Sequence, residues 1–395
     1  MKKSLLPLAL GGLGIGTTEF VMMGLLPDIA RDFQVTIPQA GHLISAYALG
    51  VVIGAPLLVA ATSNFPPKKI LLALMLIFTI FNAFSAFAPG HTSMLFARLL
   101  SGLPHGAFFG VGSVVASRLA EKGKEARAIS MMLGGLTVAN LATVPIGTWL
   151  GHHYSWRFTF GLIAFIGLIT LISLYFWMPN LAVRRAGNIK SELRFFKKRE
   201  AWLILSITAI GTGGLFAWLS YIAPLMTEVA GFSADFVPYV MVLAGFGMVV
   251  GNIIGGKLAD SMAPVKACLV LLLCMATALL IIYFTAESKS MGLVMTFVAG
   301  SLSLAIGAPI QILMINTAKE AEMLGAAATQ AAFNIGNALG AFLGGIPIAM
   351  GFGFTSPELV GVVMASAGAF FAYMLLQHQR RAVVFDRQAE ILEVN

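Results

Sequence analysis

Twelve apolar runs, each about as long as a bilayer's hydrocarbon core is thick, follow one another through the chain and dictate its fold class. They fall near 5–27, 40–62, 70–89, 93–117, 128–150 and 157–179, then near 201–226, 236–259, 266–286, 292–317, 324–349 and 357–378. A backbone in lipid has no water to bond with, so it must form helices or a closed barrel. Barrel strands read as roughly ten-residue alternating segments. These runs are continuous, which predicts an all-α membrane protein of twelve transmembrane helices. Only 11% of residues are charged against 58% apolar, too few charges for a water-facing surface and too much apolar content for disorder. Lys2 and Lys3 precede the first run as in a signal peptide. That run is too long and lacks a small-residue cleavage site, so it reads as the first helix.

The longest polar interruption, 180–200, splits the runs into two sets of six. The expected organisation is an N-terminal six-helix bundle (1–179), a cytoplasmic basic linker (180–200), a C-terminal six-helix bundle (201–378) and a cytoplasmic tail (379–395). The halves look like repeats. VVIGAPLLVAATSNFPPKK (51–69) lies on MVVGNIIGGKLADSMAPVK (248–266), matching Gly54 with Gly251, Pro67 with Pro264 and Lys69 with Lys266. The same offset matches Asn140 with Asn337 and Gly147 with Gly344. Two pseudo-symmetric bundles are therefore expected.

With a cytoplasmic N-terminus, all 25 Lys and Arg fall in inside segments except Arg31, Arg157, Lys289 and the in-span Arg98. That bias predicts both termini inside. The net charge of +8 then reads as a topology signal and a contact with anionic lipid, not as a nucleic-acid interface. Cys268 and Cys274, six apart on one helix, face different sides and cannot pair. GNIIGGKL (251–258) fails as a phosphate loop because Leu258 stands where a magnesium-binding hydroxyl belongs. With no nucleophile–base or metal-ligand pattern either, no cofactor, metal or enzymatic activity is expected.

Away from the ends of the expected spans, three ionisable groups remain: Glu19, Arg98 and His105. A charge at mid-bilayer is costly and faces the bundle interior or a wet cavity. Glu19, in GIGTTEFVMMGLLPDIA (14–30), is the expected proton-binding carboxylate of a coupled transporter. The plainer reading is a structural carboxylate paired with Arg98. The first and fourth spans run in opposite directions, which puts Glu19 and Arg98 at similar depth. Arg98, Ser101 and His105 share one helix face, suited to a cavity wall. Arg98 would act there as a field or as a partner to Glu19. His105 would bind a proton or polar substrate, or serve as a plain interior histidine. Met23, Ser101, Trp218, Tyr221, Gln311 and Asn334 are candidate substrate contacts, with Asn140, Gln330 and Asn337 of the same kind. Interhelical bonding is the commoner role of such groups. Glycines every fourth residue (102, 106, 110; 247, 251, 255; 336, 340, 344) read as close helix packing.

These residues resemble the major facilitator superfamily. Its mark is a glycine-rich basic loop between the second and third spans, repeated between the eighth and ninth. GGKLAD (255–260) looks like the second copy; in the first, Ser63 takes the aspartate position and Pro67, Lys68 and Lys69 remain. The resemblance implies a conformational gating motif at Lys69, Gly256, Lys257 and Asp260. Arg98 falls where the family places an arginine tied to proton transfer, and GGLTVANLATVPIGTWLG (134–151) looks like a relaxed antiporter motif. GTTEFVMMGLLPDIARD (16–32), AGHLISAYALGVVIGAP (40–56) and PHGAFFGVGSVVASR (104–118) are similar to bacterial arabinose, sugar and drug efflux proteins of the twelve-helix drug:proton antiporter group. The resemblance implies export of sugars or drugs in exchange for protons across the bacterial cytoplasmic membrane. The first, fourth, seventh and tenth spans would line the cavity, and protonated Glu19 would bias the outward-facing state. The partners expected are a small-molecule substrate, protons and membrane lipid; a monomer is expected. A uniporter or importing proton symporter is the alternative, and a non-transporting sensor or scaffold the second.

Overall fold

A computed structural model describes residues 3–62, 64–121, 125–182, 193–318 and 322–393. Ser63, residues 183–192 of the expected linker and the last two residues of the expected tail lie outside the described residues. Twelve helices among them are long and apolar enough to cross a membrane. They are α1 (Lys3–Asp32), α2 (Ile37–Leu58), α3 (Pro67–Ala86), α4 (His91–Leu119), α5 (Ala128–His153), α6 (Trp156–Trp177), α7 (Arg199–Ser220), α8 (Ala234–Ser261), α9 (Pro264–Thr285), α10 (Lys289–Thr317), α11 (Gly325–Ala349) and α12 (Ser356–Arg381). An even number of spans puts both termini at one end of the bundle; the opposite end is called the far end below. The last helix continues beyond the span to Glu393, through most of the expected tail.

The starts of α3 and α9 show why the repeat folds twice the same way. Pro67 and Pro264 each open a helix, where a missing N–H costs nothing and the fixed φ favours the first turn. Glycines then set the crossings. A Cβ on Gly54 would run into the Leu103 carbonyl of α4, and one on Gly251 into the Ser301 carbonyl of α10. Likewise Gly102 sits on the Tyr47 carbonyl and Gly300 on the Ala244 carbonyl. The α2–α4 and α8–α10 pairs are thus backbone-to-backbone contacts of one design. The glycines of α11 serve the same end against α7: Gly336 meets Thr212 and Ala209, and Gly340 meets Gly213 and Ala217.

Two spans are less regular than the pattern predicts. The seventh breaks at Tyr221 and resumes as Ile222–Pro224 and the π turn Leu225–Val229. Pro224 has no N–H to offer the Ser220 carbonyl, which frees that turn. The tenth breaks at Ile306, where Pro309 leaves the Ala305 carbonyl without its partner. Further π turns interrupt α5 at Ala139–Thr143 and α7 at Ile207–Gly211; such bulges concentrate at functional sites.

The first six and last six spans meet chiefly along two seams, and α1 also touches the seventh span around Ile222–Pro224. In one, α2 lies on α11: Ser45 Oγ donates to the Ala338 carbonyl at 3.0 Å, and the His42 ring lies 5.6 Å from that of Phe342. In the other, Gly245 of α8 rides on the Asn140 carbonyl, inside the α5 π turn. At the far end His153 Nε2 lies 3.9 Å from Asp235 Oδ1 across this seam, and His152 Nδ1 is 2.5 Å from Asp28 Oδ2.

Candidate functional site

In α1 three polar residues come in succession, Thr17, Thr18 and Glu19, all buried. About 100° of helix turn separates each from the next, so they address three different neighbours. Thr17 Oγ1 donates to the Leu13 carbonyl and lies 2.5 Å from Thr143 Oγ1, in the π turn of α5. Thr18 Oγ1 donates to Asn82 Oδ1 of α3 at 2.6 Å and accepts from Arg98 Nη1 at 2.8 Å. Glu19 is turned towards α11, where Asn337 Nδ2 donates to its Oε1 at 3.5 Å. The carboxylate therefore sits on the seam between the two halves.

Arg98 is wholly enclosed. Its guanidinium stacks on the Tyr47 ring at 4.3 Å and lies 5.7 Å from the Phe160 ring. Its Nε and Nη2 have no hydrogen-bond partner among the described residues. Tyr47 also joins Arg98 to His105, its hydroxyl 3.1 Å from His105 Nδ1. The ion pair between Glu19 and Arg98, the plainer of the two readings, does not form: no such contact falls within salt-bridge distance among the described residues. Thr18 takes the guanidinium, and its neighbour Glu19 leaves α1 in another direction. The face carrying Arg98, Ser101 and His105 is likewise packed rather than open, with all three side chains buried and Ser101 Oγ bonded to the Arg98 carbonyl.

The candidate substrate contacts scatter. Met23 and Trp218 are buried in the apolar core, and Trp218 Nε1 has no partner. Tyr221 packs on Gly345 and Gly41 and donates to the Ala341 carbonyl at 2.7 Å, which fixes α7 to α11. Asn334 is buried, its Nδ2 bonded to the Gln330 carbonyl of its own helix and its Oδ1 unpartnered. Gln311 is exposed, on the segment of α10 beyond the Ile306 break.

Sequence reasoning missed Tyr47 and Thr18 as the groups that hold Arg98, and Asn82 as the group that holds Thr18. One more acid is buried among the described residues, in addition to the expected Glu19, Arg98 and His105. Glu358, in the first turn of α12, is 1% exposed, and its Oε2 has no partner. Its place at the very start of a predicted span made it look like loop.

Comparison with known proteins places this architecture. The sequence profile of the Major Facilitator Superfamily matches residues 8–345. The chain belongs to the major facilitator superfamily. It is 40% identical over 386 residues to AraJ, a candidate transporter of Escherichia coli strain K12, covering 98% of each chain. It is 39% identical over 381 residues to the inner membrane transport protein YdhP of the same strain, covering 96% of this chain and 97% of that one. Among solved structures, a D-xylose–proton symporter superposes with a TM-score of 0.75 at 16% identity, over 94% of this chain and 97% of the other. An inward-facing, occupied bacterial homologue of the lysosomal transporter Spinster gives 0.74 at 18% identity, over 94% and 96%. At those identities the superpositions speak to the fold alone. The protein is a multi-pass membrane transporter of this superfamily.

The residues expected from the resemblance to form a gating motif lie at the end that bears both termini. Lys69 is exposed in the first turn of α3, and Lys257 and Asp260 are exposed in the last turns of α8 beside the half-buried Gly256. Among the described residues none of the three charged groups forms an ion pair.

Proposed function

We propose that this protein exports small molecules, sugars or drugs, across the bacterial inner membrane in exchange for protons. Both termini are cytoplasmic in this reading, and the halves 1–179 and 201–378 rock about a midplane site. Glu19 carries the proton, Arg98 and His105 tune its surroundings, and Met23, Ser101, Trp218, Tyr221, Gln311 and Asn334 supply substrate contacts. Lys69, Gly256, Lys257 and Asp260 gate the cytoplasmic end.

The observation that supports the reading most is the seat of Glu19: an acid buried between the halves, bonded to an amide of the opposite half and to no counter-ion. Intramembrane acids are costly, and proton transfer is the work that retains them. Accumulation of pentoses, hexoses and cationic drugs in cells making the protein tests it. The native chain should lower the accumulation of at least one compound, a protonophore should abolish the effect, and Glu19→Gln should not support it. Extrusion that survives both the protonophore and Glu19→Gln contradicts the reading.

A further inference from the structure

We propose that Asn337 is the residue through which the state of Glu19 reaches the opposite half: a latch that closes when the acid is protonated. The inference rests on Glu19 being the proton carrier. Its basis is the asymmetry of the Asn337 side chain. The Nδ2 donates to Glu19 Oε1 at 3.5 Å, while Oδ1, also buried, has no partner among the described residues. An amide and a carboxylic acid fit each other reciprocally, with N–H to C=O one way and O–H to C=O the other. A carboxylate lacks the second donor, so it cannot satisfy the amide oxygen.

The step balances simply. A proton adds to one Glu19 carboxylate oxygen, and the new O–H donates to Asn337 Oδ1. The Nδ2 bond is kept and no other bond breaks. A buried acceptor that costs free energy while unpaired becomes satisfied. The contact lies next to the Ser45–Ala338 bond, on the seam that continues past His42–Phe342 to the far end. Opening the far end parts α11 from α1 and α2 and breaks the pair. Protonation therefore favours closure of the far end, the reverse of the bias expected from sequence.

The charged and titratable groups facing Glu19 are Arg98 from α4 and Tyr47 from α2. Tyr47 in turn holds His105. At that depth α5, α7 and α11 carry no ionisable side chain except Tyr221 near the far end of α7. Two more titratable groups lie on the seams nearer the far end, His42 against Phe342 and His153 at 3.9 Å from Asp235; the part of the pH response that Glu19→Gln and Asn337→Leu each remove is the part assigned to Glu19 read by Asn337.

Distances between spin labels test this in the full-length protein. Labels go on Phe87→Cys, between α3 and α4, and Phe352→Cys, between α11 and α12, with Cys268 and Cys274 replaced by alanine. Both sites are exposed at the far end. In the otherwise native chain the short, closed distance should gain population as pH falls. Glu19→Gln, whose amide mimics the protonated acid, should be closed at every pH. Asn337→Leu should lose the response, with the closed-to-open ratio at acid pH down about tenfold, the worth of a hydrogen-bonded pair. Asn337→Asp keeps the shape of the side chain, and there the far end should open further at high pH. A native response in Asn337→Leu, or in Asn337→Asp if the first variant does not fold, overturns the latch and leaves the Glu19 reading standing. A native response in Glu19→Gln overturns the Glu19 reading itself.

Discussion

Arg98 shows what a residue costs when it is kept for something other than stability. A wholly buried guanidinium with one hydrogen bond to Thr18, one aromatic face against it and two idle nitrogens is poorly compensated. Burying a charge with so little compensation costs free energy that an apolar side chain of similar size does not incur. Arg98→Met should therefore unfold at the same temperature as the native chain or higher, while proton-coupled transport falls to background. Lower stability with transport intact would make Arg98 a structural strut. Glu19 and Arg98 were legible in the sequence because an ionisable side chain inside an apolar run is conspicuous. Tyr47, Thr18 and Asn82 were not, since a polar tip on an interior helix shows its purpose only when tertiary packing supplies the partner. Glu358 hid at a span boundary, where one residue's shift decides between loop and membrane.

At the level of elements, the length and order of the spans could be read because the bilayer sets them, and the repeat could be read because glycine and proline recur at one offset. The glycine spacing also announced close packing, and Gly102, Gly251 and Gly340 each lie against a neighbouring backbone. Gly251→Ala should destabilise the protein by about 1–3 kcal/mol, as overpacked sites do. Gly161→Ala in α6, where a Cβ meets nothing within 4 Å, should be neutral or stabilise by up to about 1 kcal/mol. Thermal unfolding in detergent micelles compares the two, and equal midpoints would refute the packing account. The breaks at Tyr221 and Ile306 were not legible. Pro27, Pro56, Pro104 and Pro347 sit inside continuous helices, whereas Pro224 and Pro309 accompany interruptions. Which outcome follows depends on whether neighbours can satisfy the freed carbonyl, and that is a property of the packed bundle.

Across the whole molecule, two halves built alike are held together at the α2–α11 and α5–α8 seams, and the acid singled out by sequence is found on the first of them. Its partner there is an amide from the other half rather than the arginine from its own. The sequence carried no sign of this, because the meeting of these two side chains from α1 and α11 arises only when the halves assemble. The most direct measurement uses the full chain in proteoliposomes loaded with a pH-sensitive dye, driven by whichever sugar or drug the cell panel identifies. Substrate movement should carry protons the opposite way, and in Glu19→Gln substrate should still bind while its addition moves no protons. Proton movement of native size in Glu19→Gln would contradict the account.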